Sequence, residues 1–306
     1  MVYLMMDNRD EAIAEYGRAI IADSDNAFMY YGMRAELRLA ENQYDEQALS
    51  LSAQDMVRAC GVNDNSSDAY FIWAYIYLRP VGDLMSDGRN DNDNRSKYFL
   101  NKCISYNDEA LKLNPQNYQA LNMSGFVKCH FIKPSSKEKF FSAIEDFTRA
   151  LAVHPHHQIY QNRGCVYAKG LNEIDLAISD FNNVIISLEK ENIYNKEKKD
   201  SAASEAYKGL GYCYVKKGDY KSALKNYNLA IEKNPETETA HNNRGIIYAM
   251  QGEYDKAKND FSQGRYAETN LNLLNKKTKG NEYIFDGRLS MGIVFDINNK
   301  KRNLNP

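Results

Sequence analysis

The tightest constraint on this chain is a recurrence of thirty-four residues. Gly211 and Gly245 stand that far apart, and their neighbours match in step: Tyr214 with Tyr248, Ala223 with Ala257, Tyr227 with Phe261. The first unit runs Tyr207, Leu210, Gly211 and Tyr214, then Ala223, Tyr227, Ala230 and Pro235. The second runs Gly245 and Tyr248, then Ala257, Phe261 and Gly264. Spacings of three and four place such residues on one stripe of a helix. A period of this length reads as a pair of helices that cannot bury its apolar stripes alone, so stability comes from stacking on neighbours.

The pattern continues upstream with insertions. Tyr160, Gly164 and Tyr167 lead into Ala177 and Phe181, and Gly125 leads, across an insertion around Lys133–Lys139, into Ala143, Phe147, Ala150 and Pro155. Tyr70, Ala74 and Tyr77 precede a long break, then Ala110 and Pro115. Phe28, Gly32 and Ala35 precede Tyr44 and Ala48. At the start, Ala12, Tyr16 and Ala19 mark a second helix whose first helix is cut to the segment MVYLMM. The order aromatic, Leu-Gly, Tyr, Ala, Phe, Pro resembles the tetratricopeptide repeat family, over roughly residues 3–268. The resemblance implies an all-α fold, a right-handed α-solenoid (superhelix) of stacked antiparallel helix hairpins. Residues 1–279 would form it, with a truncated first repeat at 1–25, six repeats at about 26–268 and a capping helix at about 269–279. A short irregular C-terminal tail, 280–306, would follow.

The recurring residue types have physical reasons. Gly211 and Ala223 lie where the helices of a hairpin cross, and small side chains let the axes approach to about 8–10 Å. Tyr214 and Tyr227 fill the wedge between them, each buried ring contributing ~1.5–3 kcal/mol. Ala230 is the small contact to the next hairpin, and Pro235 stops its helix.

Composition narrows the function classes. A net charge of -2 with 26% charged residues does not call for nucleic acid or an anionic membrane as partner. No apolar run approaches the ~20 residues of a membrane span, and MVYLMM lacks a basic start and a signal-length apolar core. Five cysteines, an odd number with no C-x-x-C pair, suit free thiols and a cytoplasmic setting. No G-x-S-x-G, P-loop, H-E-x-x-H or G-x-G-x-x-G motif is present. No catalytic residue, cofactor or metal is therefore expected. Asp91 and Asp93 imitate the start of a calcium loop, but Ser96 and Lys102 stand where its Gly and Glu belong. Arg79–Ser96 is accordingly expected as a solvated loop. His154, His156 and His157 fall on an inter-repeat turn rather than a metal site. Lys196–Lys199 and Lys276–Lys279 are isolated basic clusters, and the former is expected on a projecting extension of a second helix, within Asn182–Ser204. After the capping helix, with Leu271 and Leu274 inward, the apolar clusters Tyr283-Ile284-Phe285 and Ile293-Val294-Phe295 are expected to dock on the last repeat, with a handle for a partner or insertion into the chain's own groove as alternatives.

The resemblance also implies where a partner would lie. One stripe of each first helix faces its hairpin mate; another lines the concave surface of the stack. Along that second stripe stand Met29 and Met33, Phe71 and Tyr75, Asn122 and Phe126, Gln161, Lys208 and Tyr212, and Asn242. Met and aromatic residues in the N-terminal half, if exposed, suit an apolar or helical peptide; the alternative is that Met33, Phe71 and Tyr75 pack against neighbouring hairpins. Asn162 and Asn243 match the family's common structural Asn, whose amide can also bond a bound peptide backbone. Some members grip a C-terminal carboxylate. Lys208 and Asn243 fit two positions of that clamp, Tyr212 replaces its first Asn, and no third unit follows. The expected function is a non-catalytic scaffold or adaptor that binds a protein or peptide partner, with no nucleic acid and no membrane. An alternative expectation is a fragment or regulatory repeat domain of a larger protein whose effector or catalytic part is missing at the N-terminus.

Overall fold

Thirteen α-helices run through the residues that the computed structural model describes, 9–42, 44–86, 94–131, 137–190 and 195–263, and no strand occurs among them. The first, α1 (Arg9–Ala22), is followed by a 3₁₀ turn at Ser24–Asn26. Six helix pairs follow. They are α2 (Ala27–Asn42) with α3 (Glu46–Ala59), α4 (Ser67–Ser86) with α5 (Asn94–Leu113), and α6 (Tyr118–His130) with α7 (Lys137–Val153). Next come α8 (His157–Cys165) with α9 (Ile174–Lys190), α10 (Lys196–Lys216) with α11 (Tyr220–Lys233), and α12 (Glu238–Met250) with α13 (Tyr254–Ser262). Two compact units divide them, Met1–His154 and Pro155–Pro306.

Local chemistry sets the ends. Asp45, Asn117, Asn195 and Asp219 each accept a backbone N–H at the start of α3, α6, α10 and α11, which satisfies donors the helix cannot. Pro115, Pro155 and Pro235 each stand two residues beyond a helix end, where the missing N–H costs nothing.

A ring laid over a glycine closes four of the pairs. A Cβ on Gly125 would lie 2.8 Å from Phe147, on Gly164 3.0 Å from Phe181, on Gly211 2.6 Å from Tyr227, and on Gly245 2.8 Å from Phe261. All four rings are fully buried. Phe181 is gripped twice, since a Cβ on Gly209 of α10 would approach it to 2.6 Å. The two earliest pairs close differently. Gly32 has only Ala59 Cβ near its own absent Cβ, at 3.9 Å, and Ser52 Oγ donates to Ala35 O at 3.1 Å instead. In α4 the glycine position holds Ala74 and the ring position of α5 holds buried Asn107, which donates to Ala120 O at 3.1 Å. The aromatic mass moves aside, with Trp73 and Tyr77 each within 5.4 Å of the Tyr106 ring.

Several local expectations are corrected. Arg79–Ser96 is not one loop: α4 continues through buried Pro80 and Val81 to Ser86, and α5 begins at Asn94 with Ser96 buried. Asp91 and Asp93 lie outside the described residues. Lys196–Lys199 does not extend a second helix. Asn195 caps a fresh start through Lys198 N, so the extra turns belong to the first helix α10. Lys233 Nζ to Asp200 Oδ1 at 3.4 Å holds them to α11. Tyr44 sits in the turn before Asp45, and Leu49, Ser52 and Ala53 supply the buried face of α3 instead of Ala48. MVYLMM, the capping helix at 269–279 and the tail at 280–306 also fall outside the described residues.

The α8–α9 pair carries one residue more between its glycine and alanine (Gly164 to Ala177) than its neighbours do (Gly211 to Ala223, Gly245 to Ala257). A stretch of π-helix, Val166–Leu171, absorbs it, and Asn172 closes the turn at φ 60°. Gly218 and Gly252 take that left-handed role in the next two turns, where a glycine has no Cβ to strain.

The ring contacts make a paired prediction. Gly211→Leu should destabilise the protein by ~1–3 kcal/mol, because the Tyr227 ring leaves no room. Gly32→Ala, whose Cβ would meet only Ala59 at an ordinary contact distance of 3.9 Å, should stabilise by ~0.5–1 kcal/mol. Urea unfolding of the two variants beside the wild type checks both signs.

Candidate functional site

The expected contact residues divide between the units and differ in what they offer. In Met1–His154, α2 and α4 are bridged by Arg79 Nη1 donating to both Glu36 oxygens at 3.2 Å. Beside that bridge Met29 is 42% exposed, Met33 45% and Tyr75 50%. Phe71, half-buried against the core, lies 6.4 Å from the Tyr75 ring. Phe126 of α6 stacks on His130 at 4.3 Å, and Asn122 is half-buried one turn before it. Phe28, 60% exposed, adds to the uncovered apolar area of α2. A cluster of exposed apolar side chains marks a binding surface more often than scattered ones do.

In Pro155–Pro306 the corresponding positions are drawn inward. Lys208 is buried and pairs with Glu205 one turn earlier at 2.5 Å. Tyr212 belongs to the core cluster of Ala177, Phe181, Leu210 and Cys213, and burial pushes its phenol pKa up. Asn243 is fully buried and donates from Nδ2 to the Tyr227 hydroxyl at 3.4 Å. Its amide thus serves the closing ring. Gln161 donates to Cys165 Sγ at 3.8 Å, while its Oε1 is buried without a partner. Burial raises the Cys165 thiol to about 11 and depresses Lys169. Asn162 and Asn242 are half-buried. An opening of about 470 Å³ in this unit lies between α9, α10 and α11 and is lined by Ile185, Ile186, Tyr207, Leu210, Tyr214 and Leu229 among others.

The largest feature that sequence reasoning missed is a buried carboxylate on the second helix. Asp55, Asp146, Asp180 and Asp260 are all buried, and the last three immediately precede a closing ring. Each meets a cation from its own first helix. Arg163 Nε and Nη2 both reach Asp180 at 2.8 Å, and Arg244 reaches Asp260 at 2.8 and 2.6 Å, with His241 Nδ1 3.3 Å away. Lys128 Nζ donates to Asp146 at 2.5 Å. Burial raises the Asp180 pKa against the pull of Arg163, as expected when desolvation rivals the attraction. The readable signal was an Asp before the ring, with Arg before Gly164 and Gly245.

Among the described residues no group of three His, Cys, Asp or Glu side chains could hold a metal. No helix among them is long and apolar enough to cross a membrane.

Comparison with known proteins agrees with this geometry. A family described as TPR repeat matches residues 211–252, the α10–α12 region. Human DnaJ homolog subfamily C member 7 is 26% identical over 170 residues, covering 52% of this chain and 31% of the relative. Stress-induced-phosphoprotein 1 of Caenorhabditis elegans is 23% identical over 208 residues, covering 61% of each. The chain therefore spans less than two thirds of either relative's length. A solved structure, the Cut9–Hcn1 heterotetramer of the APC/C, shares the fold at 12% identity and a TM-score of 0.60, covering 89% of this chain and 46% of that one.

The buried pairs can be separated from their packing. Arg163→Leu should cost about 3–5 kcal/mol by stranding Asp180. The double variant Arg163→Leu with Asp180→Leu should recover most of that loss. A double-mutant cycle by urea unfolding measures the difference.

Proposed function

Because this chain is a tetratricopeptide repeat protein, we propose that it is a non-catalytic scaffold whose Met1–His154 unit binds a protein or peptide segment. The observation that carries the reading is the apolar face of Met29, Met33 and Tyr75, left uncovered on two neighbouring first helices while their other stripes are buried in hairpin packing. Methionine adapts to irregular apolar partners, and aromatic anchors carry much of an interface's energy. The Glu36–Arg79 bridge beside them supplies a polar rim. An amphipathic helix or an extended apolar segment fits such a surface. Asn122 and Phe126 prolong the same face on α6.

The second unit contributes less to this reading. Lys208, Tyr212 and Asn243 are buried in helix packing, so Gln161, Asn162 and Asn242 remain as its contact candidates. The proposal includes a cytoplasmic setting, which the free thiols of Cys60, Cys103, Cys129, Cys165 and Cys213 support.

Two variants separate binding from folding. Met33→Ser with Tyr75→Ser removes exposed side chains only, and should leave the helical circular dichroism signal and the unfolding midpoint near wild type while abolishing co-purification of the native partner. Phe71→Ser with Tyr75→Ser should abolish co-purification as well, at a cost in stability, because Phe71 also packs on the core. Undiminished co-purification by the Met33/Tyr75 variant would move the site off this face.

A further inference from the structure

The buried carboxylate of α3 differs from its counterparts in the charge set against it. Asp180 faces Arg163 alone and Asp260 faces Arg244 and His241. Asp146 meets Lys128, with Arg149 at 3.9 Å. Asp55 is gripped by two guanidiniums, and a third, that of Arg58, is close enough to repel Arg38. Arg34 donates from Nε and Nη2 to both of its oxygens at 2.8 and 2.7 Å, and Arg38 Nη1 reaches the same Oδ2. Arg58, one turn beyond Asp55 on α3, is exposed and pairs with no carboxylate among the described residues. Its guanidinium lies 5.7 Å from the centre of the Tyr31 ring, and that of Arg34 lies 5.5 Å from the same ring.

Three cations against one anion leave two positive charges in a cluster anchored from beneath. Burial, with repulsion from Arg34 and Arg58, holds the Arg38 guanidinium below its ordinary pKa even with Asp55 beside it. On α1, Arg18 closes on Glu11 and Glu15, at 2.6 and 2.7 Å. Gly17 of α1 keeps room at Arg34, where a Cβ would stand 3.3 Å from Nη1. Donors therefore remain on Arg34 Nη1 and on the whole of Arg58, while Asp55 fixes the orientation of the two partly buried forks.

We infer that Arg34, Arg38 and Arg58 form an oxyanion site that takes the phosphoryl group of a phosphorylated protein segment. A phosphomonoester carries about -1.5 to -2 charges near neutral pH, which matches the surplus of two; a single carboxylate leaves one cation unanswered. Guanidinium forks match phosphate oxygens in bidentate geometry, and Tyr31 gives them a flat surface to lie against. Arg34 and Arg38, four residues apart, project from a different side of α2 than Met29 and Met33 do. The phosphoryl site is thus separate from the apolar face and would select the modification state of what docks nearby.

Titration calorimetry of the full chain tests it with a capped Gly-Gly-phosphoserine-Gly-Gly peptide, its unphosphorylated counterpart and inorganic phosphate. The phosphopeptide should bind saturably in the millimolar range or tighter, and the unphosphorylated peptide should not. Arg58→Ala, an exposed and unpaired position, should weaken binding tenfold or more with unchanged circular dichroism. Lys225→Ala, which removes one exposed charge elsewhere, should leave it as it was. Absence of saturable binding, equal binding of both peptides, or the same affinity in Arg58→Ala overturns the site. Inorganic phosphate binding as tightly as the phosphopeptide overturns the assignment to a protein segment.

Discussion

An aromatic ring seated where a glycine has no side chain is the contact on which most of this architecture depends. It fixes the separation of two helices, and with it the face each helix must bury. Phe147, Phe181, Tyr227 and Phe261 all make it, and all are removed from solvent. Once that stripe of a first helix is committed to the ring, the remaining stripes are free to carry other chemistry. Met29, Met33 and Tyr75 on α2 and α4 stay exposed while those two hairpins close without the ring, through Ser52 in one and Trp73, Tyr77 and Tyr106 in the other.

Charge is arranged by the same repeat logic. A carboxylate buried before the ring would be costly alone, and each is met by a cation from the facing helix. Such a pair contributes orientation more than stability: Arg163 reaches across to Asp180 and so registers α8 on α9. In the α2–α3 hairpin, which lacks the ring–glycine contact, Ser52 stands where those aspartates do, and a buried carboxylate three residues later, Asp55, is gripped by two guanidiniums, Arg34 and Arg38. Packing there rests on Ala35, Ser52 and Ala53, and the arginines are left with donors to spare.

The helical repeat was legible in the sequence because its signal is a period. Glycine, ring and proline at fixed offsets state both the helices and their ends. Departures from the period were harder to read. The extra residue after Gly164 is a single insertion that leaves both flanking helices intact, so only the backbone shows it as a π-helical stretch. The start of α10 was misplaced because a run of lysines and glutamates suits the end of one helix as well as the start of another, and the decision lay with one capping side chain, Asn195. Candidate contacts were legible as positions on a stripe but not as exposures. Met33 and Lys208 occupy equivalent stripes, yet one is open and the other is buried. That difference is set by neighbours distant in sequence. Buried aspartates went unread because charge on a helix normally signals a solvated face.

The account rests on the exposed face of α2 and α4 being where a partner lies, and methionine oxidation reads that surface directly. With the complex isolated from its native source, brief peroxide treatment and peptide mass spectrometry report each side chain separately. Met29 and Met33 should be protected in the complex relative to the free protein. Met250, equally exposed on α12 of the other unit, should oxidise at the same rate in both. Protection of Met250 with Met29 and Met33 left reactive would contradict the account and move the binding surface to the second unit.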